Sequence, residues 1–270
     1  MIPAALAQAV AAADALPLEG AVGLIRPFLA DIGWFSTLLE EQLAAMAADP
    51  LHLPGLRASR NGAARHLVIA RTERVRITAT LIDPTDQPPM RVHFSGRVVL
   101  SRSLNGPLRG EQYRLVQGRA LSVGEGWWAT GAVVETDERE EALCLYPGGR
   151  SLMVLRAQVA PPGPVHARIH DPVWGTLLGS AQVDEGHARA LMLLSLLRVQ
   201  GRRDAADCFS QALDTPLAAQ RWAVMREYLA LDTHSALPAL RAMAREEADA
   251  AVRALAMRTL TQIGDAPCLA

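Results

Sequence analysis

Arg74-Val75-Arg76-Ile77-Thr78-Ala79-Thr80-Leu81-Ile82 decides the fold. Val75, Ile77, Ala79 and Leu81 alternate with polar neighbours, the two-residue repeat of a strand with one buried face. Similar runs follow at 66–70, 91–100, 112–116, 127–134, 142–146 and 152–159. Turn formers separate them: Asp83-Pro84, Asn105-Gly106, Gly124-Glu125-Gly126 and Pro147-Gly148-Gly149. After Pro161-Pro162-Gly163-Pro164, a further hairpin is expected from 165–169 and 177–183, turned through Asp171-Pro172-Val173-Trp174-Gly175. Many short strands with no helical period between them predict an antiparallel β-sandwich or barrel.

Outward from this centre the period changes on both sides. Before it, Val22, Ile25, Leu29, Ile32, Phe35, Leu38, Leu39, Leu43 and Met46 recur at three- and four-residue steps, an amphipathic helical stripe. Pro17 and Pro27 are positioned to end or kink it, Asp49-Pro50 to stop it, and 51–62 reads as a loop. After Glu185 the helical period returns with an internal repeat. A shift of 32 residues superposes Arg189, Arg221 and Arg253; Leu193, Met225 and Met257; Leu196, Tyr228 and Leu260; and Val199, Leu231 and Ile263. Helix pairs repeating at this length bury their apolar faces by stacking on neighbours. The expected fold is therefore α+β and multidomain, with an N-terminal helical segment at 1–62, a β-sandwich or barrel at 63–185 and a helical repeat array at 186–270.

Composition narrows the setting. Half of the 270 residues are apolar and a fifth are charged, the balance of a soluble globular protein. A net charge of −1 offers no overall field for a nucleic acid backbone or an anionic membrane, so neither is an expected partner. All 27 basic residues are arginines, which reads as the GC-rich coding bias of a bacterial-type composition. Cys144, Cys208 and Cys268 are far apart and odd in number, which argues against a disulfide framework and for a reducing cytoplasm. The apolar start lacks a basic leader region, so no signal peptide or membrane span is expected.

Two segments resemble known families. Ala248-Asp249-Ala250-Ala251-Val252-Arg253-Ala254-Leu255-Ala256, followed by Leu260 and Ile263-Gly264-Asp265, resembles the second helix of a HEAT-type repeat, whose pattern sets an aspartate ahead of a valine-arginine pair. The resemblance implies a helical array that acts as an interaction surface, with another protein as partner. Gly118, Gly124, Gly126, Ala129 and Val133 have the spacing of the second cupin motif, G-x5-P-x-G-x2-H-x3-N. Here Gly124 replaces the proline, Ala129 the metal-binding histidine and Val133 the asparagine, while His93 stands alone in Val92-His93-Phe94. The resemblance implies a cupin-like barrel in which the family's metal ligands are degenerate.

Candidate chemistry is sparse. His93, His166 and His170 are the metal candidates, for iron, zinc, manganese or nickel, but on a strand His166 and His170 lie about 13 Å apart, too far for one ion. No cofactor is the preferred expectation. No nucleophile elbow, P-loop or dinucleotide fingerprint occurs. Glu135, Asp137, Glu138, Glu140 and Glu141 read as a solvated turn, and Cys144 as a packed thiol. Arg76, Arg91, Arg97 and Arg114, with Trp127 and Trp128, are candidates for holding an anionic ligand. Arg221, Trp222, Arg226 and Arg253 mark the repeat helices as a protein-interaction surface. The reading is a non-catalytic interaction or ligand-sensing scaffold with a degenerate cupin-like barrel. A divergent metal-dependent cupin oxygenase or isomerase, and a metal-free barrel for a small anion, are the alternatives.

Overall fold

The computed structural model describes residues 2–49, 51–62, 64–85, 89–183, 185–215 and 217–264; Pro50, Asp265 and Cys268 lie outside them. The described residues form helices and antiparallel sheets, an α+β protein, in two compact units, 1–183 and 184–270.

The first unit opens with α1 (Ala4–Ala13), α2 (Leu18–Ala30) and α3 (Gly33–Ala48). Pro17 stands at the N-cap of α2, but Pro27 is carried inside that helix. The break falls instead at Asp31, whose Oδ1 accepts the Gly33 N–H at 3.0 Å. These helices cover one face of a six-stranded antiparallel sheet. Its strands are β1 (Arg57–Asn61), β2 (Ala64–Arg71), β3 (Val75–Ile82), β5 (Val98–Ser103), β8 (Val133–Asp137) and β10 (Leu152–Val159), in the order β1-β2-β3-β10-β5-β8. Leu6, Ile25, Leu29 and Phe35 pack there on Val75, Ile77, Leu100, Leu155 and Ala157. Each large side chain so buried stabilises by about 2 kcal/mol. Alternation sends Arg76, Thr78, Thr80 and Ile82 of β3, and Leu152, Val154, Arg156 and Gln158 of β10, to the opposite face.

Two three-stranded sheets complete this unit. One is β7-β6-β9, from β6 (Leu108–Val116), β7 (Arg119–Trp128) and β9 (Glu141–Leu145); the other is β12-β11-β4, from β4 (Val92–Phe94), β11 (Val165–His170) and β12 (Leu177–Val183). Leu108, Trp128, Leu143 and Leu145 cluster with Ile82, Val134, Leu152 and Val154 of the large sheet, and Val92 and Phe94 with Tyr113, Ala120 and Ala142.

Several expected boundaries shift. The loop predicted at 51–62 contains β1, whose sequence Arg-Ala-Ser-Arg-Asn hides the strand because it is an edge with little apolar content. The strand predicted at 91–100 is two, belonging to different sheets. The chain bends at Gly96, at φ +73°, where a Cβ would lie 2.5 Å from the His166 carbonyl oxygen. Gly124-Glu125-Gly126 is not a turn but part of β7, with a bulge beside Gly124; the reversal occurs at Gln117-Gly118. The predicted strand at 127–134 is accordingly interrupted after Trp128 and resumes at Val133.

The second unit contains α4 (Glu185–Val199), a 3-10 turn (Arg203–Ala205), α5 (Ala206–Ala212), α6 (Ala218–Leu231), α7 (Thr233–Glu246) and α8 (Ala250–Ile263). The 32-residue offset relates α4, α6 and α8. In α6 the offset positions Met225, Tyr228 and Leu231 are buried, whereas Leu193, Leu196 and Val199 of α4 are exposed. Asp232 and Asp249 cap α7 and α8 by accepting first-turn N–H groups, and Gly264 ends α8 in the left-handed conformation. Among the described residues no single helix is long and apolar enough to cross a membrane.

Candidate functional site

One end of the large sheet gathers three arginines around one carboxylate. Arg76 leaves β3, and Arg156 leaves β10, on the face away from the helices, because Val75, Ile77, Leu155 and Ala157 occupy the helix side. Arg76 stands opposite Gln158, and Arg156 opposite both Thr78 and Ser101. Arg97 enters from the bend before β5. Its carbonyl accepts the Glu138 N–H at 2.8 Å, and the Gly96 N–H donates to the Glu138 carbonyl at 3.0 Å. The Glu138 side chain turns inward, where Oε1 accepts from Arg156 Nη2 at 3.1 Å.

Positive charge is in excess there. The Arg97 guanidinium is drawn below the ordinary arginine value, by burial first and by the charge of Arg76 next, with Glu138 acting against both. The His66 imidazole, whose Nδ1 lies 3.0 Å from Thr80 Oγ1, is also lowered, by burial first and then by Arg156 and Arg76. The Nε atoms of Arg76 and Arg156 are buried without a hydrogen-bond partner. An orphaned buried donor costs about 1–3 kcal/mol, and neighbouring like charges add to that. An oxyanion accepting from these forks offsets both costs through charge-assisted hydrogen bonds.

The other expected residues are dispersed. Arg91 is exposed near His93, and Arg114 pairs with Glu141 at 2.8 Å. Trp127 is exposed on β7, while Trp128 packs with Leu108 and lays its ring over Gly126. The histidines do not form a ligand set. His93 stands opposite Ile169 and His170 opposite Val92, so His93 and His170 leave opposite faces of that ladder. His166 is exposed. His170 is 1% exposed, edge-on to Phe94, with Nδ1 3.0 Å from the Gly175 carbonyl. Among the described residues no three His, Cys, Asp or Glu side chains are grouped to hold a metal ion.

The acidic run is not uniformly solvated, as its density suggested. Glu138 is only 6% exposed, because Arg156 receives it. Elsewhere Glu111 accepts from Ser122 Oγ and Tyr146 Oη, each at 2.6 Å, and these bonds hold its carboxyl below the usual range. The nearby Cys144 thiol is pushed up to about 12, by burial first and by the charges of Glu111 and Glu138 next, so it carries no thiolate nucleophile.

Arg156 and His66 escape the sequence reading, and Glu138 enters it only as part of a solvated turn. The available signal was Arg156 and Gln158 alternating with Leu155, Ala157 and Val159, which marks a polar inner face on an otherwise apolar strand.

In the helical unit Arg221 is bound to Glu247 and to the Thr215 carbonyl, and Arg253 Nη1 to the Glu247 carbonyl. Trp222 packs on the helical core. Of the four expected interaction residues, Arg226 is the exposed one.

No family model matches this sequence, and no curated protein matches it. Solved structures similar to part of the chain are cupin-like. Hydroxypropylphosphonic acid epoxidase from S. wedmorenis is 16% identical over 40% of this chain and 57% of that one, with a TM-score of 0.31. The chain thus spans little more than half of that enzyme. The cupin domain of Schizosaccharomyces pombe Cnp3 is 8% identical over 40% of this chain and 72% of its own, with a TM-score of 0.30. An RmlC-like cupin protein from Ralstonia eutropha JMP134 is 12% identical over 52% and 82%, with a TM-score of 0.34.

Proposed function

We propose that this protein is a non-catalytic, ligand-sensing scaffold whose β unit is a degenerate cupin-like barrel binding a small oxyanion, without a metal. The excess of Arg76, Arg97 and Arg156 over Glu138, with two orphaned Nε donors, carries this reading. Planar guanidinium forks match carboxylate and phosphate oxygens two at a time. Calorimetric titration with phosphate, sulfate and succinate at low salt tests it. Saturable binding of at least one anion is expected, weakened about tenfold or more by Arg76→Ala and by Arg97→Ala. Binding that is absent to millimolar concentration, or indifferent to both substitutions, refutes it.

The helical unit, in the same reading, is a HEAT-like array that docks another protein. The exposed row Met192, Leu193, Leu196 and Val199 on α4 supports this, because the offset positions in α6 are buried. The unpaired Cys144 and Cys208 fit a reducing, cytoplasmic setting.

A further inference from the structure

The helix-covered face of the large sheet holds a space of about 500 Å³ beneath α3, within the usual range for small-molecule sites, about 300–1,000 Å³. Phe35 and Leu39, one helical turn apart, form its roof. Leu67, Leu81 and Met153 form its floor. The space exists because Ala58 and Ala79 flank Leu67 in one row of the ladder, and a methyl group is too short to reach the helix. It opens because α3 lifts away from the sheet: Phe35 and Leu38 are 3% and 2% exposed, but Leu43 and Met46 are 64% and 45% exposed.

The end of this floor is cationic. Arg60 and Arg65 stand opposite each other across β1 and β2, on the face that carries Leu67. Arg65 is paired with Asp83 at 2.5 Å. Arg60 is held at Nε by the Gly62 carbonyl at 3.2 Å, and among the described residues no carboxylate pairs with it. Two guanidiniums thus meet one carboxylate at the end of an apolar trough.

We infer that the trough under α3 is a second binding site, separate from the arginine cluster on the opposite face, for an apolar anion of the class of medium-chain carboxylates. The tail removes Phe35, Leu39 and the floor from water, and the head group meets Arg60. A cationic amphiphile with the same tail meets repulsion instead.

Calorimetric titration of the full chain with decanoate tests this, with decyltrimethylammonium and acetate as controls for head and tail. Decanoate binds saturably, at least about tenfold tighter than either control. Arg60→Glu weakens decanoate about fivefold or more, and Ala58→Trp, which fills the trough from the edge strand, removes it. Arg76→Ala retains saturable decanoate binding, because it removes only what the arginine cluster on the opposite face takes up. No saturable decanoate binding to millimolar concentration, equal binding of the two amphiphiles, unaltered binding in Ala58→Trp, or loss in Arg76→Ala each overturns the inference. Should Ala58→Trp fail to fold, Leu39→Trp fills the space from the helix and is read the same way.

Discussion

Arg221 of α6 grips Glu247, the C-cap residue of α7, through two parallel hydrogen bonds, Nε to Oε2 at 2.8 Å and Nη2 to Oε1 at 2.6 Å. The same carboxylate accepts the Asp249 N–H at 3.1 Å, and the Glu247 carbonyl accepts from Arg253. One nearly buried side chain therefore ties α6 to the corner between α7 and α8. Glu247→Gln should lower the stability of the helical unit by about 2 kcal/mol, below the usual cost of a fully buried pair because Arg221 remains partly in water. Arg221, then the backbone donors, hold the Glu247 carboxyl below its ordinary value of 4.5. Its contribution is complete above that value and is lost as pH falls through the lowered one. Urea unfolding followed by circular dichroism should show the gap between wild type and Glu247→Gln closing in acid; a gap constant with pH contradicts this.

Sulfate binding in the β unit should tighten as pH falls below 6.5, the ordinary imidazole value, where sulfate itself keeps its charge. Burial first, then Arg156 and Arg76, lower the His66 imidazole, so an anion that offsets those arginines raises it and draws in a proton. Calorimetry in buffers of different ionisation enthalpy should register proton uptake, and His66→Gln should abolish it while retaining binding. Proton release, or uptake unchanged in His66→Gln, contradicts the assignment.

Gly175 should tolerate no side chain. It sits at φ +66°, and a Cβ would lie 2.3 Å from the Ala120 carbonyl oxygen. Its own carbonyl accepts the Ala120 N–H at 2.9 Å and faces His170 Nδ1, so the β11–β12 turn cannot retreat without breaking both. Gly175→Ala should cost more than about 2 kcal/mol, while Gly148→Ala, at φ +64° with open space around it, should cost about 1 kcal/mol. Thermal melts of the two variants compare them directly; equal losses would show that the contact with Ala120 yields.

The sequence reveals the fold wherever one face is buried. Val75, Ile77, Ala79 and Leu81 make β3 visible because the helices cover that side, and the stripe from Val22 to Leu38 makes those helices visible for the same reason. Edge strand β1 has no apolar alternation to display, and the split between β4 and β5 depends on backbone approach at Gly96, which leaves no periodic trace. The site is legible only in part. Alternation alone assigns Arg76 and Arg156 to a face, but which arginines converge depends on pairing: Arg97 and Glu138 meet through a non-local contact between the bend before β5 and the end of β8. Arg114, on a strand of equal polarity, is drawn instead to Glu141. Charge density in the acidic run likewise conceals that Glu138 alone is received by an interior cation.

Arg74 fastens the first helix to the sheet, and its removal should loosen that helix before anything else. Nη1 donates to the carbonyls of Ala13, Asp14 and Leu16, at 3.3, 2.8 and 2.7 Å, and Nε to that of Ala160 at 3.0 Å. The last carbonyls of a helix have no partner within it, so one guanidinium satisfies the end of α1 while anchoring it beside β10. A lysine ammonium is a compact point charge that cannot span the same four acceptors. Arg74→Lys should therefore recover little of the roughly 2 kcal/mol lost in Arg74→Ala. Asp14 still accepts from Thr72 Oγ1 at 2.7 Å in either variant, so the corner weakens without detaching. Hydrogen exchange by mass spectrometry should show faster exchange across Ala4–Ala13 than wild type, with α3 unchanged. Equal acceleration in both helices would make Arg74 a determinant of the whole core rather than of the α1 anchor.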